Sequence, residues 1–143
     1  MTRCFLSGIL GSLAEAQREA EQIQEGLSTL AEALEYVQET DERYYEAELY
    51  RLNGELLLSK GNEIEAEASL LKAIEIARQQ SAKSWELRAS IDLARFWHKQ
   101  GRTTEAYELL TGIYNWFTEG LDTSDLVDAK LLLDEMADHI QIN

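Results

Sequence analysis

The stretch AELYRLNGELLLSKGN, residues 47–62, reads as one helix with a fault in it. Leucines and a tyrosine recur three and four residues apart, the spacing of one helix face. Gly61-Asn62 then supplies a stop. Yet Gly54 sits in the middle, and glycine there costs roughly 1 kcal/mol relative to alanine. Good helix formers surround it, so the space it leaves must be used.

A shift of the chain by 40 residues shows what that use is. Ala14, Gly54 and Ala94 align as one set of small residues, and Gly26, Ala66 and Ala106 as a second. Leu30, Leu70 and Leu110 align as large apolar positions, and Ala33 and Ala73 align with Ile113 in the third copy. Gly61 and Gly101 align at turns, and Glu25, Glu65 and Glu105 each precede a small residue. Small residues at matched places let neighbouring helices approach closely, and the packing gained offsets the lost propensity.

The pattern predicts an all-α chain, an antiparallel helix-hairpin solenoid of about seven helices. They are expected at 4–18, 22–39, 42–60, 63–80, 83–100, 103–118 and 123–140. A single domain, 1–143, would then hold three repeats (4–40, 41–80, 81–120) and a capping helix. Asn62 with Glu65 resembles a capping box, Thr103 or Thr104 is the expected N-cap after Gly101, and Gly120 is expected to end the sixth helix. Asp122-Thr123-Ser124-Asp125 opens the seventh with acid in its first turn, where the helix dipole favours it. Proline, which breaks helix interiors, is absent from all 143 residues.

Charge narrows the partners. Asp and Glu number 27 against 13 Lys and Arg, a net charge of −14. Such a surface repels phosphate backbones and anionic lipid heads, so neither nucleic acid nor membrane is an expected partner. No stretch approaches the ~20 apolar residues of a membrane helix. The one cysteine, Cys4, allows no intrachain disulfide and fits a reducing, cytoplasmic setting. MTRCFLSGILGSLAEA at the start loosely mimics a signal peptide, but Ser7, Gly8 and Gly11 break its apolar run. We read it as the first helix of the domain.

The two-helix unit resembles the tetratricopeptide repeat, whose 34 residues carry an aromatic, Leu-Gly and Tyr on one helix and Ala, Phe and Ala on the next. Tyr50, Asn53, Gly54 and Leu57 match the first set, and Ala66, Leu70 and Ala73 the second. Ser90, Leu93, Ala94 and Trp97, then Ala106 and Leu110, match in the third repeat. Leu10, Leu13, Ala14 and Gln17, then Gly26, Leu30 and Ala33, match in the first. The usual closing proline is replaced by Gln38, Arg78 and Thr118, and the period is 40. In this it is similar to the long repeats of maltose-regulator-type bacterial activators. Residues 44–136 also resemble the C-terminal helical region of large bacterial signalling proteins, through YYEAELYRLNGELLL, EAEASLLKAIEIARQQSAKSWELRASIDLA and YNWFTEGLDTSDLVDAKLLLDEM. There a class III adenylate or guanylate cyclase, a kinase or an activator is joined to a nucleoside-triphosphatase module and such repeats. The resemblance implies a regulatory tail and no catalysis in this chain.

A search for chemistry agrees. There is no G-x-x-x-x-G-K and no G-x-G-x-x-G. His98 and His139 fall on adjacent first helices by the repeat, but zinc needs further ligands. Asp134, Glu135, Asp138 and His139 read as a solvated helix end. Trp85, Trp97 and Trp116, with Phe96, Tyr114 and Phe117, read as inter-helix packing rather than a ligand cage. No catalytic residue, metal or cofactor is expected, and the chain is not read as an enzyme.

Charge segregation is the informative feature. Residues 78–102 carry six basic and two acidic residues, a local net of +4 in an acidic chain. In the repeat class this resembles, the first helix of each pair lines the concave groove. That places Arg88, Arg95, His98 and Lys99 on the groove, with Arg51 on the helix before. Two readings compete. The cations bind an acidic peptide or a C-terminal carboxylate. Alternatively they neutralise their neighbours in ladders, Glu55–Arg95–Glu135 and Glu48–Arg88–Asp128, which align at the repeat offset. The apolar Phe5, Leu6, Ile9 and Leu10 suggest lost upstream repeats or self-association through the first helix.

The expected function is a non-catalytic protein- or peptide-binding scaffold, a regulatory module of bacterial signalling. The alternative is a detached C-terminal tail of a cyclase or triphosphatase-type regulator, acting on a separate catalytic chain.

Overall fold

The computed structural model describes residue 13 and residues 22–41 and 43–142. The expected first helix, its apolar Phe5, Leu6, Ile9 and Leu10, and Cys4 lie outside the described residues.

Six helices follow in order among the described residues: α1 (Ile23–Thr40), α2 (Glu46–Lys60), α3 (Glu63–Gln79), α4 (Lys83–Lys99), α5 (Thr103–Tyr114) and α6 (Ser124–Ile142). The fold is an all-α array of antiparallel hairpins. Gly61 and Gly101 supply the left-handed residue that turns the chain between α2 and α3 and between α4 and α5, at φ 93° and 87°. Each turn is closed by a six-to-one backbone bond, Asn62 N–H to Leu57 O at 2.9 Å and Arg102 N–H to Trp97 O at 2.9 Å.

Gly54 does what the repeat required. A Cβ at residue 54 would stand 2.7 Å from Leu70 Cγ and 3.3 Å from the Ala66 carbonyl oxygen, both on α3. The matched positions of the other copies are filled in the same way. Leu30, Leu70, Leu110, Ala33, Ala73, Ala66, Ala94 and Ala106 are all fully buried, and Gly26 is buried too. A leucine so placed contributes about 1.5–3 kcal/mol through burial. One core runs from α3 to α6 around Leu93, Leu110 and Met136, and a second joins α1 to α2 around Leu30, Leu49 and Leu56.

Contacts between alternate helices give the array its bend. α2 touches α4 and α4 touches α6, whereas α3 and α5 do not meet. First helices in contact and second helices apart place α2, α4 and α6 on the inner side of the curve.

Local chemistry departs from expectation at several ends. Asn62 is the N-cap of α3 but makes no side-chain capping bond. The N-cap of α5 is Arg102, and the Thr103 hydroxyl faces His98 instead of capping. α2 begins at Glu46 because Tyr44 and Tyr45 form a turn. α5 stops at Tyr114, where Trp116 and Phe117 donate three-residue turn bonds to Ile113 and Tyr114. Gly120 therefore turns the following loop, at φ 68°, rather than ending the helix. α6 opens at Ser124 with Asp125 in its first turn, as read.

Candidate functional site

Of the basic residues that the repeat assigned to the groove, Arg51 lies on α2 and Arg88, Arg95, His98 and Lys99 lie on α4. Their surroundings differ sharply.

Arg51, one turn and a half into α2, is buried at 9% exposure. Its Nε and Nη2 donate to the two carboxylate oxygens of Glu48 at 2.7 and 3.1 Å, and its Nη1 donates to Asp92 Oδ2 on α4 at 2.8 Å. Burial opposes the guanidinium charge, but the bonds and charges of Glu48 and Asp92 outweigh it and raise the Arg51 pKa. For Glu48, burial pushes upward and the bonds and charges of Arg51 and Arg88 prevail, holding the carboxyl below its usual value. Asp92 goes the other way. Burial raises it, Arg51 and Arg95 offset only part of that, and Glu48 adds to it.

Arg88 joins three helices. Its Nη1 donates to Glu48 on α2 at 2.8 Å and its Nη2 to Asp125 on α6 at 3.2 Å. The expected ladder thus forms at Glu48–Arg88, but its third rung is Asp125, one turn before Asp128. Asp128 lines the same cleft of about 290 Å³. In the second ladder Arg95 also lies 3.9 Å from Asp92 on its own helix, and Glu135 lies 3.6 Å from His98 Nε2.

Arg95 and Lys99 are both exposed. Arg95 is 48% exposed in its side chain. Both line a cleft of about 410 Å³ with Glu55, Glu63, Leu58 and Phe96. His98 is not beside them. Its Nδ1 shares a hydrogen with Thr103 Oγ1 at 2.9 Å, and its ring meets His139 on α6 edge-on at 5.4 Å between centroids. The two histidines are therefore neighbours, as the repeat suggested. Among the described residues no three His, Cys, Asp or Glu side chains converge as metal ligands. Nor is any described helix long and apolar enough to cross a membrane.

The aromatic residues divide. Trp97 is packed: its Nε1 donates to Glu67 on α3, and the Arg102 guanidinium stacks 4.5 Å from its ring while donating to Glu67 at 2.8 Å. Trp116 is not. It is 58% exposed, so the packing expectation fails there. Trp85 is half-buried and forms a three-ring cluster with Tyr44 at 5.4 Å and Tyr45 at 5.7 Å. Sequence reasoning missed this cluster, because Tyr44 and Tyr45 were expected inside a helix.

No protein-family model matches the chain, and no curated protein matches it.

Proposed function

We propose that the chain is a non-catalytic scaffold of the tetratricopeptide type. It holds a protein or peptide segment along the inner side of α2, α4 and α6 and serves as a regulatory module of bacterial signalling. The observation that carries this is the cleft beside α4 with its two cations. Arg51 and Arg88 are spent on joining helices, whereas the exposed Arg95, 3.9 Å from Asp92, and the exposed Lys99 line a cleft with the apolar Leu58 and Phe96 and the carboxylates of Glu55, Glu63 and Asp92. A guanidinium there can grip a carboxylate with two parallel bonds while an apolar neighbour of that carboxylate rests on Phe96.

A labelled acidic peptide with a free C-terminal carboxylate, titrated by fluorescence anisotropy, tests it. The joint variant Arg95→Ala, Lys99→Ala should bind about tenfold or more weakly. Its thermal midpoint should stay close to that of the parent, since both side chains are exposed. Undiminished binding by that variant would remove the cleft from the reading.

A further inference from the structure

A second surface lies at one end of the hairpins, away from the inner cleft. Three connections meet there: Asp41 and residues 43–45 before α2, 80–82 before α4, and 115–123 before α6. The turns at the opposite end are short and polar, with Lys60, Gly61 and Asn62 in one and Gln100, Gly101 and Arg102 in the other. The first end instead presents rings. Tyr44 is 67% exposed and Trp116 58%. Between them stands Lys83, its Nζ 5.6 Å from the Trp116 ring centre.

A cleft of about 640 Å³ opens at this end, the size of a small-ligand or peptide-anchor site. Tyr44, Ala82 and Trp85 form its apolar wall, Gln80 and Ser84 offer hydrogen bonds, and Arg43 and Lys83 are its charged residues. Among the described residues no carboxylate lines it, although acids outnumber bases by 27 to 13 in the chain. The acids that hold these cations lie behind them. Glu46 and Glu86 are buried, accepting from Arg43 at 2.8 Å and facing Lys83 at 3.7 Å. Arg43 also uses Nε on the exposed Asp41. Its Nη2 has no partner among the described residues. Rings of Tyr and Trp beside a basic side chain are the composition of binding hot spots, and an exposed tyrosine gives contact area at little entropic cost.

We propose that this end of the molecule docks an acidic linear segment of a partner protein. A leucine or phenylalanine of that segment packs on Tyr44 and Trp85, and a neighbouring carboxylate reaches Arg43 and Lys83. The surface is separate from the inner cleft, since Lys83 and Arg95 stand roughly 18 Å apart along α4 at 1.5 Å per residue.

The three tryptophans make the test direct. The full chain, labelled with ¹⁵N, is titrated with a short peptide of leucine and phenylalanine flanked by aspartate and glutamate. Two controls run beside it: the same peptide with asparagine and glutamine in place of its acids, and vesicles of phosphatidylglycerol. The acidic peptide should move the indole N–H signals of Trp85 and Trp116 and leave that of Trp97, which is bonded to Glu67. Lys83→Ala and Tyr44→Ala should each weaken binding several-fold or more, and both should fold, since Tyr44 is exposed and Lys83 makes only loose contacts. Arg95→Ala with Lys99→Ala should leave this binding intact, which separates it from the function proposed above. The proposal fails if the acidic peptide moves no indole signal or moves that of Trp97 alone. Equal binding of the amide peptide, or binding of vesicles in place of the peptide, overturns it as well.

Discussion

Arg51 and Asp92 are 41 residues apart in the chain and 2.8 Å apart in space, and both are buried. Their bond ties α2 to α4, the contact that bends the array. Removing one partner of a buried pair strands the other's charge, which typically costs about 3–5 kcal/mol. Arg51→Ala should approach that range, because it strands Asp92 and half-frees Glu48. Replacing the set with uncharged residues of similar shape, Arg51→Met with Asp92→Leu and Glu48→Gln, should recover most of it. Urea unfolding of the single and combined variants measures both. A single-variant loss below about 1 kcal/mol, the worth of an exposed pair, would show that water reaches this site.

Glu48 gives the network a pH signature. Its folded pKa lies below its ordinary value of 4.5. The stability it contributes is therefore complete above that value and is lost as pH falls through the folded pKa. Asp92, raised above 3.8, has the opposite sign: ionising it costs stability as pH rises through its folded value. Glu48→Gln should thus be less stable than the parent at neutral pH. The gap between them should close as pH drops below about 4.5 toward the folded pKa of Glu48. Thermal midpoints of the two proteins from neutral pH into acid check this. A gap that stays constant would mean that Glu48 acts through shape and not charge.

What was legible in the sequence divides along a physical line. Gly54, Leu70 and Ala66 were readable because a repeat stacks equivalent backbones, and backbone spacing tolerates few residue types. The partners of long side chains were not. An arginine reaches across more than one turn, so Arg88 finds Asp125 where the offset names Asp128, and Arg51 finds Asp92 at 41 rather than 40 residues. The offset grouped His98 with Arg95 and Lys99, yet its ring finds the Thr103 hydroxyl and His139. The aromatic end was hidden for a different reason. Tyr44, Tyr45, Trp116 and Phe117 sit in turns, and good helix formers around them extended the expected helices over those turns.

Two glycines separate packing from propensity. Gly54 and Gly112 both lie inside helices. Gly54→Ala gains up to about 1 kcal/mol of helix propensity but drives its Cβ to 2.7 Å from the fully buried Leu70. Overpacking typically costs about 1–3 kcal/mol, so the net effect should be a loss. Gly112→Ala meets nothing within 4 Å. It should stabilise the chain by roughly 0.5–1 kcal/mol. Midpoints moving in opposite directions would confirm the contrast. A stabilising Gly54→Ala would show that Leu70 shifts freely.

The last case concerns a residue in an unfavourable place. Ser81 follows α3 with φ 55°, the left-handed conformation that Asp41 adopts at the equivalent turn and that Gly61 and Gly101 adopt within the hairpins. The geometry is required: Ala82 N–H bonds Ala77 O at 2.8 Å, and Ser81 N–H bonds Arg78 O at 3.1 Å. A Cβ in that conformation costs about 1–2 kcal/mol, which glycine avoids. Glycine also has more freedom to lose on folding, so part of the gain is returned. Ser81→Gly should therefore stabilise the chain by roughly 0.5–1 kcal/mol, a rise of a few degrees in thermal midpoint. Gly61→Ala should do the reverse by a similar amount, although no atom lies within 4 Å of its Cβ position, because the strain there is in the backbone. Calorimetry on the two variants decides it. A lower midpoint for Ser81→Gly would mean that the serine side chain contributes more than its backbone costs.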